Sequence, residues 1–344
     1  MRFIEPGHAW ERVRLDPHVR VALGAFGDEI RRAGPEGWCG EMLHGAPVDR
    51  ETVGAHLPRE TIEVLIESGI ADIEGANLNF VTTIAVIGGV LTAVPKARWG
   101  DEVVYVGPDS AHLIEAVVRL APHGERAAEI GIGTGLLTAI LASRYRLVVG
   151  TEVGASVATA AALTMALNRY PDDHAALLCL ADVTRGLRRD SFDLVAGNAP
   201  WVPIPTESDL PRELFSYGGE HGVEMPIRFL LEGAALLRRG GVCITLGLDI
   251  ALQDGRRPLR EAVAQLEADG YITAIASTPW NRERTQFPET IRAKQPAIAS
   301  VDHVAVIAAR PREPGDRRTS LFVAVDALRT RWATRAVARQ NASR

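Results

Sequence analysis

From Arg126 onward, apolar positions recur in two alternating periods. Ala127–Ile130 is a short apolar run. Gly131, Gly133 and Gly135 then alternate with Ile132 and Thr134, before Leu136, Leu137, Ile140 and Leu141 follow at helical spacing. A buried strand, a tight glycine turn and a helix are the expected elements. Further strands are predicted over 146–150, 175–180, 191–197, 242–248, 271–277 and 301–309, with an edge strand over 320–325. Helices are predicted over 156–168, 223–239 and 259–268, the second closed by Gly240 and Gly241. This alternation argues an α/β domain with a parallel sheet covered by helices on both faces.

Residues 1–95 are patterned differently. Trp10, Val13, Val19, Val21, Leu23 and Ile30 predict one or two amphipathic helices, broken at Pro17. A loop rich in glycine and proline covers 34–47, and a helix with Ile62, Leu65 and Ile66 on its apolar face ends at Gly69. Two short strands, 70–73 and 78–81, flank Glu74–Asn77, and helix, helix and hairpin in that order resemble a winged helix. The expected domains are therefore a mainly helical 1–95 and an α/β domain over 96–344. The bridge into the second carries a strand over 103–106 and a turn at 107–110, with Asp109 or Ser110 placed for capping, then a helix over 111–120. The tail, 329–344, reads as a basic amphipathic helix packed on the domain.

With 344 residues the chain can hold two domains and a full core. Hydrophobic content of 47% and charged content of 24% place it among soluble globular proteins. A net charge of −5 gives no global attraction to nucleic acid. The second helix of the winged arrangement carries Glu60, Glu63 and Glu67 against Arg59, where a phosphate-reading helix is basic. A lid or dimerisation role suits that lobe better, which leaves a homodimer open. Cys39, Cys179 and Cys243 match no metal-ligand spacing, so no metal is expected and a reducing cytoplasm is the simplest compartment. No signal-type segment opens the chain, and the longest apolar stretch, 80–95, is interrupted by Gly88, Gly89 and threonines.

The glycine turn does not fit the dinucleotide fingerprint, because Leu136 stands where its third glycine belongs. Its spacing is E-x-G-x-G-x-G from Glu129, and Glu152 follows roughly twenty residues later, where an acid can accept both ribose hydroxyls. In this form the stretch resembles the class I S-adenosylmethionine (SAM) dependent methyltransferases, whose Rossmann-like domain has seven strands. The resemblance covers about residues 100–310. It implies a cofactor site at Glu129, Gly131, Gly133, Thr134, Gly135, Glu152, Val153, Asp182, Val183 and Asn198, with Asp182 meeting the adenine amino group and S-adenosylhomocysteine (SAH) as product. Asp193, inside the fourth strand, also sits where that family carries an acid.

The fourth strand, SFDLVAG, runs into Asn198-Ala199-Pro200-Trp201, and ligands in such sheets bind outside the carboxyl ends of the strands. NAPW resembles the Asn-Pro-Pro-Tyr/Phe motif of methyltransferases that alkylate planar nitrogens, such as the glutamine N5-methyltransferases. That resemblance implies that Asn198 and the Ala199 carbonyl accept from the target N–H₂ while Trp201 stacks on it. Ala199 replaces a proline and removes φ rigidity. A turn residue at Asn198 and a hydrophobic plug at Trp201 are the plainer alternatives. Tyr217, His221, Trp280 and Arg284 are candidates for substrate contact, and no general base is assigned.

The expected activity is methyl transfer to a nitrogen of a peptide, amino acid or small metabolite, as in biosynthetic N-methylation. Base amino groups of RNA or DNA, a metabolite oxygen, alkyl transfer within SAM, and a SAM-sensing DNA-binding regulator stay open as alternatives. A nicotinamide oxidoreductase is disfavoured by Leu136.

Overall fold

The computed structural model describes residues 11–13, 15, 17–34, 46–67, 70–80, 82–95, 106–206, 215–280, 287–313 and 319–342. Two compact units divide the chain, one formed by Glu11–Tyr105 with Ile132–Leu180, the other containing Val106–Gly131 and Ala181–Arg344.

The first unit begins with a strand, not the expected helix: β1 (Glu11–Val13) pairs antiparallel with β9 (Ala175–Leu180), which runs parallel to β8 (Leu147–Glu152). Pro17, which starts α1 (Pro17–Ala33), explains the change, because a proline fits a helix start but not its interior. Then come β2 (Val48–Asp49), α2 (Arg50–Gly54), α3 (Arg59–Glu67), β3 (Ala71–Glu74) and β4 (Asn77–Phe80), with the three strands paired in the order β2-β4-β3. The expected helix and hairpin are present, and β2 adds a third strand. The apolar stretch after Phe80 is a second hairpin, β5 (Thr82–Ile87) with β6 (Val90–Pro95), turned by positive-φ glycines at 88 and 89.

These elements share a core with α6 (Ala155–Leu167), through Leu23, Phe26, Ile30, Leu78, Phe80, Leu163 and Leu167. A Cβ on Gly27 would stand 2.1 Å from the Leu167 carbonyl oxygen, so α1 approaches α6 as closely as only glycine permits. Asn168, just past α6, both donates to and accepts from the backbone of Leu91. Buried alanines along α6 suit a helix enclosed on most sides. The unit also holds α5 (Leu136–Ala142), the helix after the glycine turn.

In the second unit the strand order is β7-β10-β11-β13-β12, for β7 (Arg126–Ile130), β10 (Phe192–Asn198), β11 (Leu237–Leu252), β12 (Ile272–Ser277) and β13 (Ile298–Ala309). The first three are parallel, and β13 runs antiparallel to both its neighbours. Helices α4 (Pro108–Leu120), α7 (Glu224–Ala235), α8 (Pro258–Ala268), α9 (Phe287–Lys294) and α10 (Thr319–Ala342) accompany them, and the alternation is the expected Rossmann-like α/β pattern. Asp193 ties β10 to the entry of β7: its buried carboxylate accepts the N–H groups of Glu125 at 2.9 Å and Arg126 at 3.0 Å, and pairs with Arg238.

Two expectations for this unit change. Residues 320–325 are helical, because Leu321, Val325, Leu328 and Trp332 recur at helical spacing and are all buried. The helix expected over 223–239 stops at Ala235, and β11 starts at Leu237 beside Phe192; Gly241 lies so close to the Phe192 carbonyl that a Cβ would meet it at 2.7 Å. Residues 287–294, to which the sequence reading assigned no element, form α9. The strand expected over 103–106 lies mostly outside the described residues.

Candidate functional site

In the first unit, the turn after the first strand of the glycine motif folds onto the end of β8. Ile132 donates to the Thr151 carbonyl at 3.1 Å, and Gly133 donates to Glu152 Oε2 at 3.2 Å. The other Glu152 oxygen accepts from Val153 at 2.8 Å and Gly154 at 3.2 Å, the latter being the N-cap of α6. One carboxylate therefore gathers N–H groups from the glycine turn and from a helix start. Positive φ at Gly131, Gly133 and Gly135, of 68°, 51° and 77°, makes the turn possible without Cβ strain. Close packing adds to the need for glycine: a Cβ on Gly150 would lie 2.3 Å from Ile132, and one on Gly135 would lie 3.0 Å from Ala161. Thr134 is buried and Val153 exposed.

In the second unit, Glu129 is buried in β7 opposite Ala196 of β10. A Cβ on Gly197 would lie 2.8 Å from the Phe229 ring and 2.9 Å from the Ile130 carbonyl oxygen, while one on Gly131 would meet the same ring at 3.3 Å. The carboxyl ends of both strands are thus stripped to backbone. Asp182 is committed to a bidentate ion pair, accepting from Arg228 at 2.8 Å on each oxygen. That pair, with Glu232, holds the guanidinium pKa above its ordinary value. Next to it Val183 has φ of 51°, a sparsely populated conformation for a β-branched residue.

Asn198 closes β10 and donates from Nδ2 to Asp109 Oδ2 at 3.0 Å. Asp109 is not the N-cap of α4: Gly107 takes that place and Pro108 opens the helix, which leaves Asp109 in the first turn with its side chain buried. Asn198 Oδ1 and Asp109 Oδ1 are both buried without a hydrogen-bond partner among the described residues.

Trp201 stands edge-on to two rings, Trp280 at 5.7 Å and 77° and His303 at 5.2 Å and 74°. The glycine-rich stretch at 217–222 lies directly on the NAPW loop. Val202 donates to the Ser216 carbonyl at 2.8 Å, Gly218 donates back to Val202 at 3.0 Å, and a Cβ on Gly218 would meet the Trp201 Cα at 2.5 Å. Tyr217 forms an isolated bridge with Val202. His221 is engaged by Glu224 through both its N–H and its ring, at 3.1 Å in each case. Arg284 lies outside the described residues.

Two features of this unit are invisible in the motifs. Arg228 on α7 captures Asp182. Wholly buried His303 contacts Thr278 at 2.8 Å through Nδ1. Burial, reinforced by the neighbouring His112, pushes its pKa down to about 3. A polar residue inside the apolar run of β13 is the one sequence signal that pointed to it. Cys243 is fully buried, which raises its thiol pKa to about 12, as befits a packing residue. No helix among the described residues is long and apolar enough to cross a membrane.

No family model and no curated protein matches the sequence. Several solved structures are similar at low identity. A TYW2 from M. jannaschii in complex with AdoMet is 17% identical with a TM-score of 0.40, over 66% of this chain and 85% of that one. A Trm5b from Pyrococcus abyssi is 17% identical with a TM-score of 0.43, over 76% and 71%. An rRNA methylase from Streptococcus thermophilus is 12% identical with a TM-score of 0.37, over 60% and 99%.

Proposed function

We propose that the protein is a SAM-dependent methyltransferase that moves a methyl group to a nitrogen of a peptide, an amino acid or a small metabolite. The observation that carries this reading is Asn198. It ends a parallel strand, its Nδ2 is fixed on Asp109, and its Oδ1 is buried without a hydrogen-bond partner among the described residues. A buried acceptor in that state is ready for an N–H donor.

The residues present fit the methyl donor. Three alternate positive-φ glycines, Gly131, Gly133 and Gly135, offer bare backbone, and the Glu152 carboxylate closes on the same turn. Glu152 and Val153 would hold the ribose, while Glu129, Gly131, Gly133, Thr134 and Gly135 would hold the methionine portion. Asp182 and Val183 would meet the adenine, and both Asp182 oxygens keep lone pairs beyond those given to Arg228. The bound donor supplies an electrophilic methyl carbon on a sulfonium. The chain's own residues orient the acceptor and exclude water. Asn198 Oδ1 would accept from the acceptor nitrogen, with the half-buried Trp201 as its apolar wall.

The exposed Glu60, Glu63 and Glu67 of α3, with Arg59 paired to Glu63, support a lid or dimerisation role for the N-terminal elements over contact with phosphates. A cytoplasmic enzyme acting on a small or peptide substrate is the simplest setting.

Calorimetric titration with SAH, comparing the full chain with Glu152→Ala, tests the reading. We expect micromolar binding that the substitution weakens by tenfold or more, about 1.4 kcal/mol. Absence of SAH binding, with NAD bound instead, overturns it.

A further inference from the structure

Asp109 and Asn198 lie 89 positions apart in sequence and share one hydrogen bond of 3.0 Å. Each keeps one oxygen that is buried and has no partner among the described residues. Asp109 is 3% exposed, and no guanidinium or ammonium neutralises it among the described ion pairs. Each free oxygen is bonded to the same carbon as one end of the shared bond, so both lie close to it. Buried acceptors left without donors are costly unless a ligand or water supplies the missing hydrogens. The arrangement lacks two N–H donors and has two places for them.

We infer that Asp109 locks the Asn198 amide, and that the two free oxygens form a seat that selects a nitrogen bearing two hydrogens and lets it accept a single methyl group. This rests on the methyltransferase reading above. The amide lock matters because an Asn side chain can present either its oxygen or its NH₂ group. Nδ2 is held toward Asp109 by one of its two hydrogens, which leaves Oδ1 for the acceptor. A primary amide or amine fills both oxygens. A hydroxyl supplies one hydrogen and leaves an oxygen bare.

In the transfer, the nitrogen lone pair forms the N–CH₃ bond as the CH₃–S bond breaks and its electron pair returns to sulfur. The proton that nitrogen sheds passes to Asp109 Oδ1 and from there to water. The monomethyl product has fewer hydrogens than the seat has acceptors and fits it less well than the substrate did, so a second turnover is disfavoured.

The test has one arm that needs no acceptor. The sequence contains six asparagines, so selective ¹⁵N-asparagine labelling of the full chain gives a sparse side-chain amide spectrum. The Asn198 amide is expected to be protected from hydrogen exchange in the wild type and to lose at least tenfold of that protection in Asp109→Ala. Asp109→Asn separates the roles: its own carbonyl still accepts from Asn198 and keeps the protection, but its NH₂ faces the acceptor. The second arm offers tritiated-methyl SAM with a glutaminyl peptide, an asparaginyl peptide, adenosine and guanosine, each beside its N-methyl counterpart, with mass spectrometry of the products. Any acceptor used should stop at one methyl, its N-methyl counterpart should react at least tenfold more slowly, and Asp109→Asn should lower kcat/KM tenfold or more.

Unchanged Asn198 exchange in Asp109→Ala overturns the lock. Dimethylated product formed as fast as the monomethylated one, the outcome expected if only water filled the seat, overturns the selectivity. Both results leave SAH binding intact, whereas failure of the underlying reading shows in the calorimetry itself.

Discussion

Acid should destabilise the second unit through one residue, His303. The imidazole is wholly buried, and its pKa falls from 6.5 to about 3, first because burial disfavours the cation and second because His112 is near. With the folded pKa below the unfolded one, the unfolded chain takes up the proton first. The contribution is therefore fully present above about pH 6.5 and is lost as pH falls from there toward 3. Between pH 7 and pH 5 the unfolded state gains about 1.5 pH units of protonation at about 1.4 kcal/mol each, so the loss is about 2 kcal/mol. Urea unfolding, read by the fluorescence of Trp201 and Trp280 that pack on the imidazole, gives stability at each pH for the wild type and for His303→Gln. Asp302 beside it, whose carboxyl pKa is raised by burial, acts in the opposite sense. Its contribution is present at low pH and lost as pH rises, and it is common to both proteins. The wild type should lose about 2 kcal/mol more than the variant over this interval. Equal losses would refute the reasoning, since they would mean that the imidazole is protonated as readily in the fold as out of it.

Two further outcomes follow from packing. Asp193→Ala removes a buried acceptor from two backbone N–H groups and from Arg238, and should cost about 2–4 kcal/mol in urea unfolding while SAH affinity is unchanged; loss of affinity with normal stability would give this carboxylate a ligand role instead. Gly197→Ala would place a Cβ 2.8 Å from Phe229 and 2.9 Å from the Ile130 carbonyl oxygen, and should lower stability by about 1–3 kcal/mol. An unchanged melting temperature would mean that β7, β10 and α7 are not packed this closely.

The alternation from Arg126 onward was legible because each strand there is apolar along most of its length and helices such as α7 and α8 keep a 3.6-residue stripe. Where the reading failed, a local signal was outweighed by a distant partner. Residues 11–13 have too few neighbours to declare a strand, and only the edge of β9 makes them one. Residues 320–325 are short and β-branched enough to pass for a strand, until Leu328 and Trp332 extend their stripe beyond the window. Gly240 and Gly241 resembled a helix stop, yet Gly241 brings β11 against the Phe192 backbone, a requirement written in another segment.

The site divides along the same line. Glu152 could be singled out from the sequence because its partners are the glycine turn and its own successors, all within a short stretch of chain. Asp109 was not, for a specific reason. An acid beside a Gly-Pro helix start is fully explained by capping or by the helix dipole, so nothing in the sequence asks for another function. Only the fold shows that the capping place is already taken by Gly107 and that the carboxylate is spent on Asn198. Arg228 follows the same logic, since a cation at i, i+4 from Glu232 is explained locally while its stronger commitment is to Asp182. The motifs thus name residues whose contacts are set by chain-local geometry. The residues that fix the orientation of those side chains come from elements far away in sequence, and each has a sufficient local explanation that hides it.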